Sequence, residues 1–505
     1  MNFKSLYGSR MTTAPVLLGA ILVPIFFGMA IVLFPIGFFA RLFLIFASLF
    51  AIVIAWISRV ETNQAPDRLV FFWMILIVAL SVIWPRYIFL NIGMLPRINP
   101  LTVSVMLGVG LVLFLMVNSP EFWRRVVGTM RRGGWIFKLI VMWFAWRFVA
   151  NILGEYPLDS TVNFVREMFY ISSFVLFGTV IASYDNGPNW MLRVVILTAV
   201  LVGLAGVIEA FQHSNLFVRF ASQSEEGDLA STLANIAMKK IRLGEYRAQS
   251  TFDHPIVFAQ FFAALMPLAF FAFLHEKHRF WRLLSFAVIP IALLAILKSG
   301  SRAGIISFAI AAAFLGLLFW VRALAHGRLS KATAIIALPA LAAAISIAFL
   351  VLQEIAGGRS QIEAGSTNVR FLMLHYGMHA LSQSPLWGFG HGLAITKAGI
   401  TNPSGLITLD NYLLTVALDS GFIGFALFVA TITAFALKGF AFSIRQRGLD
   451  GMFVGACVAS VLALFSTFAI LSIPNNMTLL WLLITATFPF FGLEENKHYE
   501  TRFGK

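Results

Sequence analysis

Apolar runs of roughly twenty residues alternate along the chain with short polar connections, and about twenty apolar residues make a helix long enough to cross the hydrocarbon core of a bilayer. On that ruler, spans are expected at 14–34, 38–58, 69–88, 101–118, 135–153, 164–184, 191–211, 255–275, 283–298, 303–322, 332–352, 412–437, 451–471 and 477–492. The pattern predicts an all-α fold, a polytopic membrane helix bundle of about fourteen transmembrane helices with a large outward-facing loop between spans 11 and 12. The first apolar segment follows Lys4 and Arg10 as a signal peptide would. It lacks a small-residue cleavage site and runs almost directly into the second, so it reads as a span that is kept.

Composition supports lipid as the solvent. Of 505 residues, 59% are hydrophobic and only 12% charged, against about a quarter charged in soluble domains. A net charge of +15 would suggest nucleic acid in a soluble chain. Here the basic residues gather in four connections: Arg124, Arg125, Arg131 and Arg132; Lys277, Arg279 and Arg282; Arg322, Arg328 and Lys331; Lys438, Arg445 and Arg447. With both termini cytoplasmic and strict alternation, all four fall on the cytoplasmic side, which explains the charge without nucleic acid. Arg86 and Arg97 fall outside on the same count. Cys457 is the only cysteine, so no intrachain disulfide or cysteine-based metal site is expected.

The same alternation divides the chain into N-terminal spans (1–212), an outer loop (213–254), spans carrying a Ser-Arg motif (255–352), a large outer loop (353–411), and C-terminal spans with a cytoplasmic tail (412–505). In the first outer loop, DLASTLANIAMKKIRLGEY places Leu229, Leu233, Ile236 and Ile241 on one helical face. That suits a helix lying on the membrane surface or packed on the rest of the loop. In the second, NVRFLMLHYGMHAL gives Phe371, Leu374, Met378 and Leu381 helical spacing. A turn, SPLWGFGHG, then leads to LDNYLLTVALDSGFIGF, which re-enters the membrane.

The stretch ILKSGSRAGII falls at an outer boundary, where cytoplasmic anchoring cannot explain its charges. If the helix continues, Lys298 and Arg302, four apart, share a face and form a doubly positive spot. Arginine grips phosphate or carboxylate oxygens in pairs; the alternative for Arg302 is snorkelling or a structural ion pair. Arg370 opens the expected loop helix, as an anion ligand or a solvated residue. Arg247 and His254, in EYRAQSTFDHP, are candidate binding residues or an interfacial anchor and a turn histidine. Arg359 is a further binding candidate in the second outer loop.

His375 and His379 have the i, i+4 spacing of a helical metal pair, but no carboxylate completes a motif, so no metal is expected. Arg41, Lys138, Arg147 and Glu209 lie near span ends, where snorkelling accounts for them. Asp410 is either a helix cap or a general base. Asp419, beside Gly421 and Gly424, is expected to make a buried hydrogen bond.

In order and spacing, KSGSRAG, NVRFLMLHYGMHALSQSPLWGFGHG and LDNYLLTVALDSGFIGFALF resemble the O-antigen ligase and polysaccharide polymerase superfamily over about 250–435. The resemblance implies an enzyme of the bacterial inner membrane with its active site facing the periplasm. It would move a glycan from a polyprenyl-diphosphate-linked donor to a glycan or lipid-core acceptor, in O-antigen or exopolysaccharide biosynthesis, with no cofactor. Arg302 and Arg370 match the family's two essential arginines, and Lys298, Arg247, His254, Arg359 and His391 would bind substrate. The family's histidine before an Asn-hydrophobic pair falls on Asp410, which makes Asp410 the candidate base and His391 its alternative. The rival reading is a multi-span transporter or exporter of a lipid-linked or polysaccharide substrate. Transporters show inverted repeats and midplane charges, whereas the polar residues here concentrate in two outer loops.

Overall fold

A computed structural model describes residues 65–89, 99–220, 240–242, 244–328, 330, 332–333, 361–401, 407–471 and 476–492. The expected spans 14–34 and 38–58, and all but the start of 332–352, lie outside the described residues. The chain divides into two compact units, 1–65 with 112–123 and 66–111 with 124–505. In the first, the described part includes a helix junction where the Ser119 hydroxyl accepts the Phe122 N–H at 3.3 Å. The second unit holds the remaining elements.

In chain order the helices are α1 (Asp67–Ile83), α2 (Pro100–Asn118), α3 (Pro120–Gly133), α4 (Trp135–Leu153), α5 (Pro157–Ala182), α6 (Gly187–Gln212), α7 (Pro255–His275), α8 (Arg279–Lys298), α9 (Arg302–Ala325), α10 (Gln361–Leu381), α11 (Ala394–Ala398), α12 (Tyr412–Arg445), α13 (Leu449–Ser466) and α14 (Met477–Ala486). Among the described residues nine helices are long and apolar enough to cross a membrane: α2, α4 to α9, α12, and α13 with its continuation to Ile470. Seven of them begin and end close to boundaries read from hydropathy, whereas α5 starts at Pro157 against an expected 164 and α12 ends at Arg445 against an expected 437. The protein is therefore an all-α polytopic membrane bundle. Helix α3, which carries the first basic cluster, was expected as a connection and is a strongly amphipathic helix instead.

Among the described residues, sheet is confined to two hairpins. β1 (Ile241–Arg242) pairs antiparallel with β2 (Glu245–Tyr246), and β3 (Ile400–Thr401) with β4 (Ile407–Thr408). The first hairpin corrects part of the surface helix expected over 228–246: Gly244 has φ +81°, which ends helical geometry and makes the turn. Residues 228–239 and 243 of that expected helix lie outside the described residues.

Helix α7 is largely enclosed, with Phe258, Phe261 and Phe262 fully buried, and it packs on α8, α9 and α13. In lipid, helix association rests on close packing and interhelical hydrogen bonds, because burial in lipid and burial in protein are equally apolar. Both devices are present. Gly206 lies against the Phe258 ring, and Gly304 against Ala259. Gln260 on α7 donates to the Leu464 carbonyl at 3.0 Å, and Asn476 donates to the Val257 carbonyl at 3.0 Å and to Gln260 Oε1 at 2.8 Å. Elsewhere α12 packs on α4 and α13, and α14 on α5.

Helix α10 forms where its apolar spacing predicted it, and it begins at Gln361, well before Arg370. Its apolar stripe splits: Met373, Ala380 and Leu381 join a core cluster with Leu409, Leu414 and Leu418, while Phe371, Leu374 and Met378 stay exposed.

Candidate functional site

The Ser-Arg segment is a turn, and this corrects the expected shared helical face of Lys298 and Arg302. Helix α8 ends at Lys298, Gly300 takes φ +58°, and the Ser301 hydroxyl caps α9 by accepting the Gly304 N–H at 3.4 Å. Lys298 is exposed at the end of one helix, and Arg302 is half-buried at the start of the next.

The strand leaving β2 lies along this turn. Ala248 N–H donates to the Lys298 carbonyl at 3.0 Å, and Arg247 Nε donates to the Ser299 carbonyl at 2.7 Å. His254 caps α7, its Nδ1 accepting the Ile256 N–H at 3.1 Å, so its proton sits on Nε2. Burial, together with the positive charges of Arg247, Lys240 and Arg370, pushes its pKa down to about 3. His254 is thus a neutral Nε2–H donor among cations. Arg370 also reaches Asp410: burial raises the Asp410 carboxyl, and the Arg370 charge pulls against that rise. The Asp410 N–H faces the Met373 sulfur at 3.4 Å, which fixes this segment on α10.

Asp410 does not cap the entering helix. That role belongs to Asn411, whose side chain accepts the Leu414 N–H at 3.0 Å. Of the residues singled out in the sequence, Arg247 and Arg370 lie within electrostatic reach of His254, and Arg370 within reach of Asp410; Lys298 meets the Arg247 segment through its backbone carbonyl, and Arg302 adjoins the turn that Arg247 clamps. Arg359 lies outside the described residues. His375 and His379 are exposed on α10. Among the described residues no group of three or more His, Cys, Asp or Glu side chains could hold a metal ion.

His391 belongs to a second polar group, built from three spans and the loop. Its Nδ1 is 3.0 Å from Asp419 Oδ2 on α12, and its Nε2 is 2.9 Å from Glu167 Oε2 on α5. Arg147 on α4 is 3.5 Å from Asp419 Oδ2, 3.7 Å from Glu167 Oε1 and 2.8 Å from His391 Nδ1. Burial lowers the His391 pKa, but the two carboxylates outweigh it and hold it at about 9. With His391 protonated, two carboxylates balance one guanidinium and one imidazolium, and a buried group without net charge is the tolerable arrangement in lipid.

Two expectations change here. Arg147 and Glu209 do not snorkel: they are 2% and 0% exposed, each enclosed by hydrogen-bonding partners. Lys138, by contrast, is exposed and lies over the Trp135 ring at 4.6 Å, as an interfacial residue does. Glu167 was not singled out at all. The available signal was that 147, 167 and 419 are charged positions in three different apolar spans.

Gly421 breaks α12 at φ +70°, ψ −178°, a conformation reserved for glycine. A break frees carbonyls and amides that lipid cannot satisfy. The SPLWGFGHG turn satisfies them: Phe389 N–H donates to the Leu418 carbonyl at 2.8 Å, Gly390 N–H to the Asp419 carbonyl at 3.1 Å, and Phe422 N–H to the Pro385 carbonyl at 2.8 Å. Gly392 N–H reaches Asp419 Oδ1 at 3.3 Å, extending the hydrogen bond expected of Asp419.

Fold and site together define a polytopic helical membrane protein with a basic cluster at one set of helix ends and a neutral ionic group between its spans. Residues 287–429 match the family model described as O-antigen ligase, which supports a relation to the O-antigen ligase superfamily over that segment. The matched segment covers α9, α10, the docked turn and the start of α12. No curated protein matches the chain. The match supports a membrane enzyme of the O-antigen ligase or polymerase type.

Proposed function

We propose that this protein transfers an oligosaccharide from a polyprenyl diphosphate to an acceptor sugar hydroxyl, at the periplasmic face of a bacterial inner membrane, in surface polysaccharide assembly. The observation that carries this reading is the convergence of cations from separate segments: His254 senses both Arg247 and Arg370, and Arg247 clamps the turn that leads to Arg302. A basic cluster of this kind suits a polyanionic ligand. A diphosphate fits that demand.

The donor is already activated. The acceptor oxygen attacks the anomeric carbon, the carbon–oxygen bond to phosphate breaks, and its electron pair leaves with the diphosphate. Arg302 and Arg370, with Lys298 and Arg247, hold that developing charge. The acceptor proton passes to the Asp410 carboxylate, which desolvation makes a stronger base than an exposed aspartate. His254 donates from Nε2 to a phosphate or sugar oxygen. No metal is required, because the guanidinium groups supply the positive charge.

A transporter would use a broken helix to make a substrate site. Here the break at Gly421 is filled by the chain's own turn, which favours the enzyme. The test is transfer in proteoliposomes from a polyprenyl-diphosphate oligosaccharide. Arg302→Ala and Arg370→Ala should each lower turnover by about 10²–10³, and lysine at either position should also be damaging. EDTA should have no effect. Full transfer in either alanine variant overturns the reading.

A further inference from the structure

Glu209 lies in α6, outside the matched family segment, and is fully buried. Its carboxyl accepts four hydrogen bonds. Oε1 takes the Gln249 N–H at 3.0 Å and the Tyr246 hydroxyl at 2.8 Å; Oε2 takes the Ser250 N–H at 2.7 Å and Asn215 Nδ2 at 3.1 Å. Each oxygen thus faces two donors, which an ionised carboxylate accepts on its own lone pairs, whereas a protonated one needs the Tyr246 hydroxyl to turn and accept. Ser250, bound on both sides, is held at φ +52°, and its hydroxyl donates to the Val202 carbonyl at 2.8 Å. Asn215 adds a second tie by donating to the Ser250 carbonyl at 2.9 Å.

The segment so tied, 246–250, is the one that clamps the Ser-Arg turn through Arg247 and Ala248. We propose that Glu209 is a positioning residue: it anchors the end of the first outer loop to the bundle, and through that segment it fixes the turn carrying Lys298 and Arg302. The catalytic consequence rests on the function proposed above; the anchoring does not. A carboxylate is suited to this task because it offers only acceptors, so every donor of an irregular segment can converge on one side chain. Glutamine has nearly the same shape, yet its NH₂ group must oppose at least one of the four donors, the Tyr246 hydroxyl alone being able to turn and accept.

Glu209→Gln tests this in the full chain in nanodiscs, where both faces are accessible to reagent. Cys457→Ala removes the native thiol, and Ala248→Cys reports on the segment, since Ala248 is fully buried. Maleimide labelling at 248 should be roughly tenfold faster or more in Glu209→Gln, because two donors lose a buried charged acceptor. Tyr246→Phe removes one donor only and should give a smaller increase, which keeps the test usable if Glu209→Gln fails to assemble. Transfer should fall with Glu209→Gln, and adding it to Arg247→Ala should cost little more, since both act through one segment. Unchanged protection at 248 in both variants overturns the anchor. Lost protection with full transfer overturns the catalytic consequence and counts against the proposed site rather than the anchor.

Discussion

The pH dependence of His391 gives the sharpest quantitative test. Asp419 and Glu167 hold its imidazole at about 9, against an ordinary value of 6.5. A group whose folded pKa is raised stabilises the fold fully below its unfolded pKa, and this stabilisation is lost as pH rises through the folded value. The window therefore runs from about pH 6.5 to about pH 9. At about 1.36 kcal/mol per unit, the loss across it is of order 3 kcal/mol. The His391 side chain is only 11% exposed, so solvent screening does not erase the effect. Unfolding free energies should be measured by SDS titration in mixed micelles for the protein and for His391→Gln, from pH 5.5 to 9.5. The difference between them should be flat below pH 6.5 and shrink steadily towards pH 9. A difference that stays constant across the window, or grows with pH, would refute the charge assignment of the whole group.

Three further outcomes are expected. Gly421→Ala should cost at least about 1–3 kcal/mol from backbone strain alone, and the new Cβ would meet the Leu386 carbonyl oxygen, so both thermal stability and transfer should drop; a variant with unchanged melting temperature contradicts this. Asp410→Asn should leave stability within about 0.5 kcal/mol while lowering transfer by about 10²–10⁴. Asn411→Ala should instead cost about 1 kcal/mol of stability, so exchanged phenotypes would reverse the two roles. On intact cells, Ser382→Cys in a Cys457→Ala background should react with an impermeant thiol reagent; reaction only after lysis would invert the topology.

Hydropathy alone located the long apolar helices, because each described span needs a long apolar run and little else. What stayed hidden was whatever depended on a single residue's partners. The segment 298–302 read as a connection between two spans, with a shared face for Lys298 and Arg302 only if the helix continues, since nothing local distinguishes Gly300 in a helix from Gly300 at φ +58°. Arg247, His254, Arg370 and Asp410 were legible as candidates through residue type and outer placement, but their linkage depends on how distant segments pack. Arg147 and Glu209 looked like snorkelling residues because distance from a span end is visible in sequence and a buried partner is not. Glu167 was passed over beside Arg166 at the start of a long span, where one more charge attracts no notice.

The cap at Asn411 has a consequence for how such sequences can diverge. The helix start is secured by Asn411, whose side chain closes on Leu414, so position 410 carries no part of the capping. A residue relieved of structural duty is free to change its chemistry. Where the resembling family places a histidine, this chain has Asp410, and the exchange leaves the helix start intact. The proposed proton acceptor could then be replaced in a single step without first rebuilding the scaffold. Related chains should accordingly hold the asparagine fixed while the residue before it varies among groups that can take a proton.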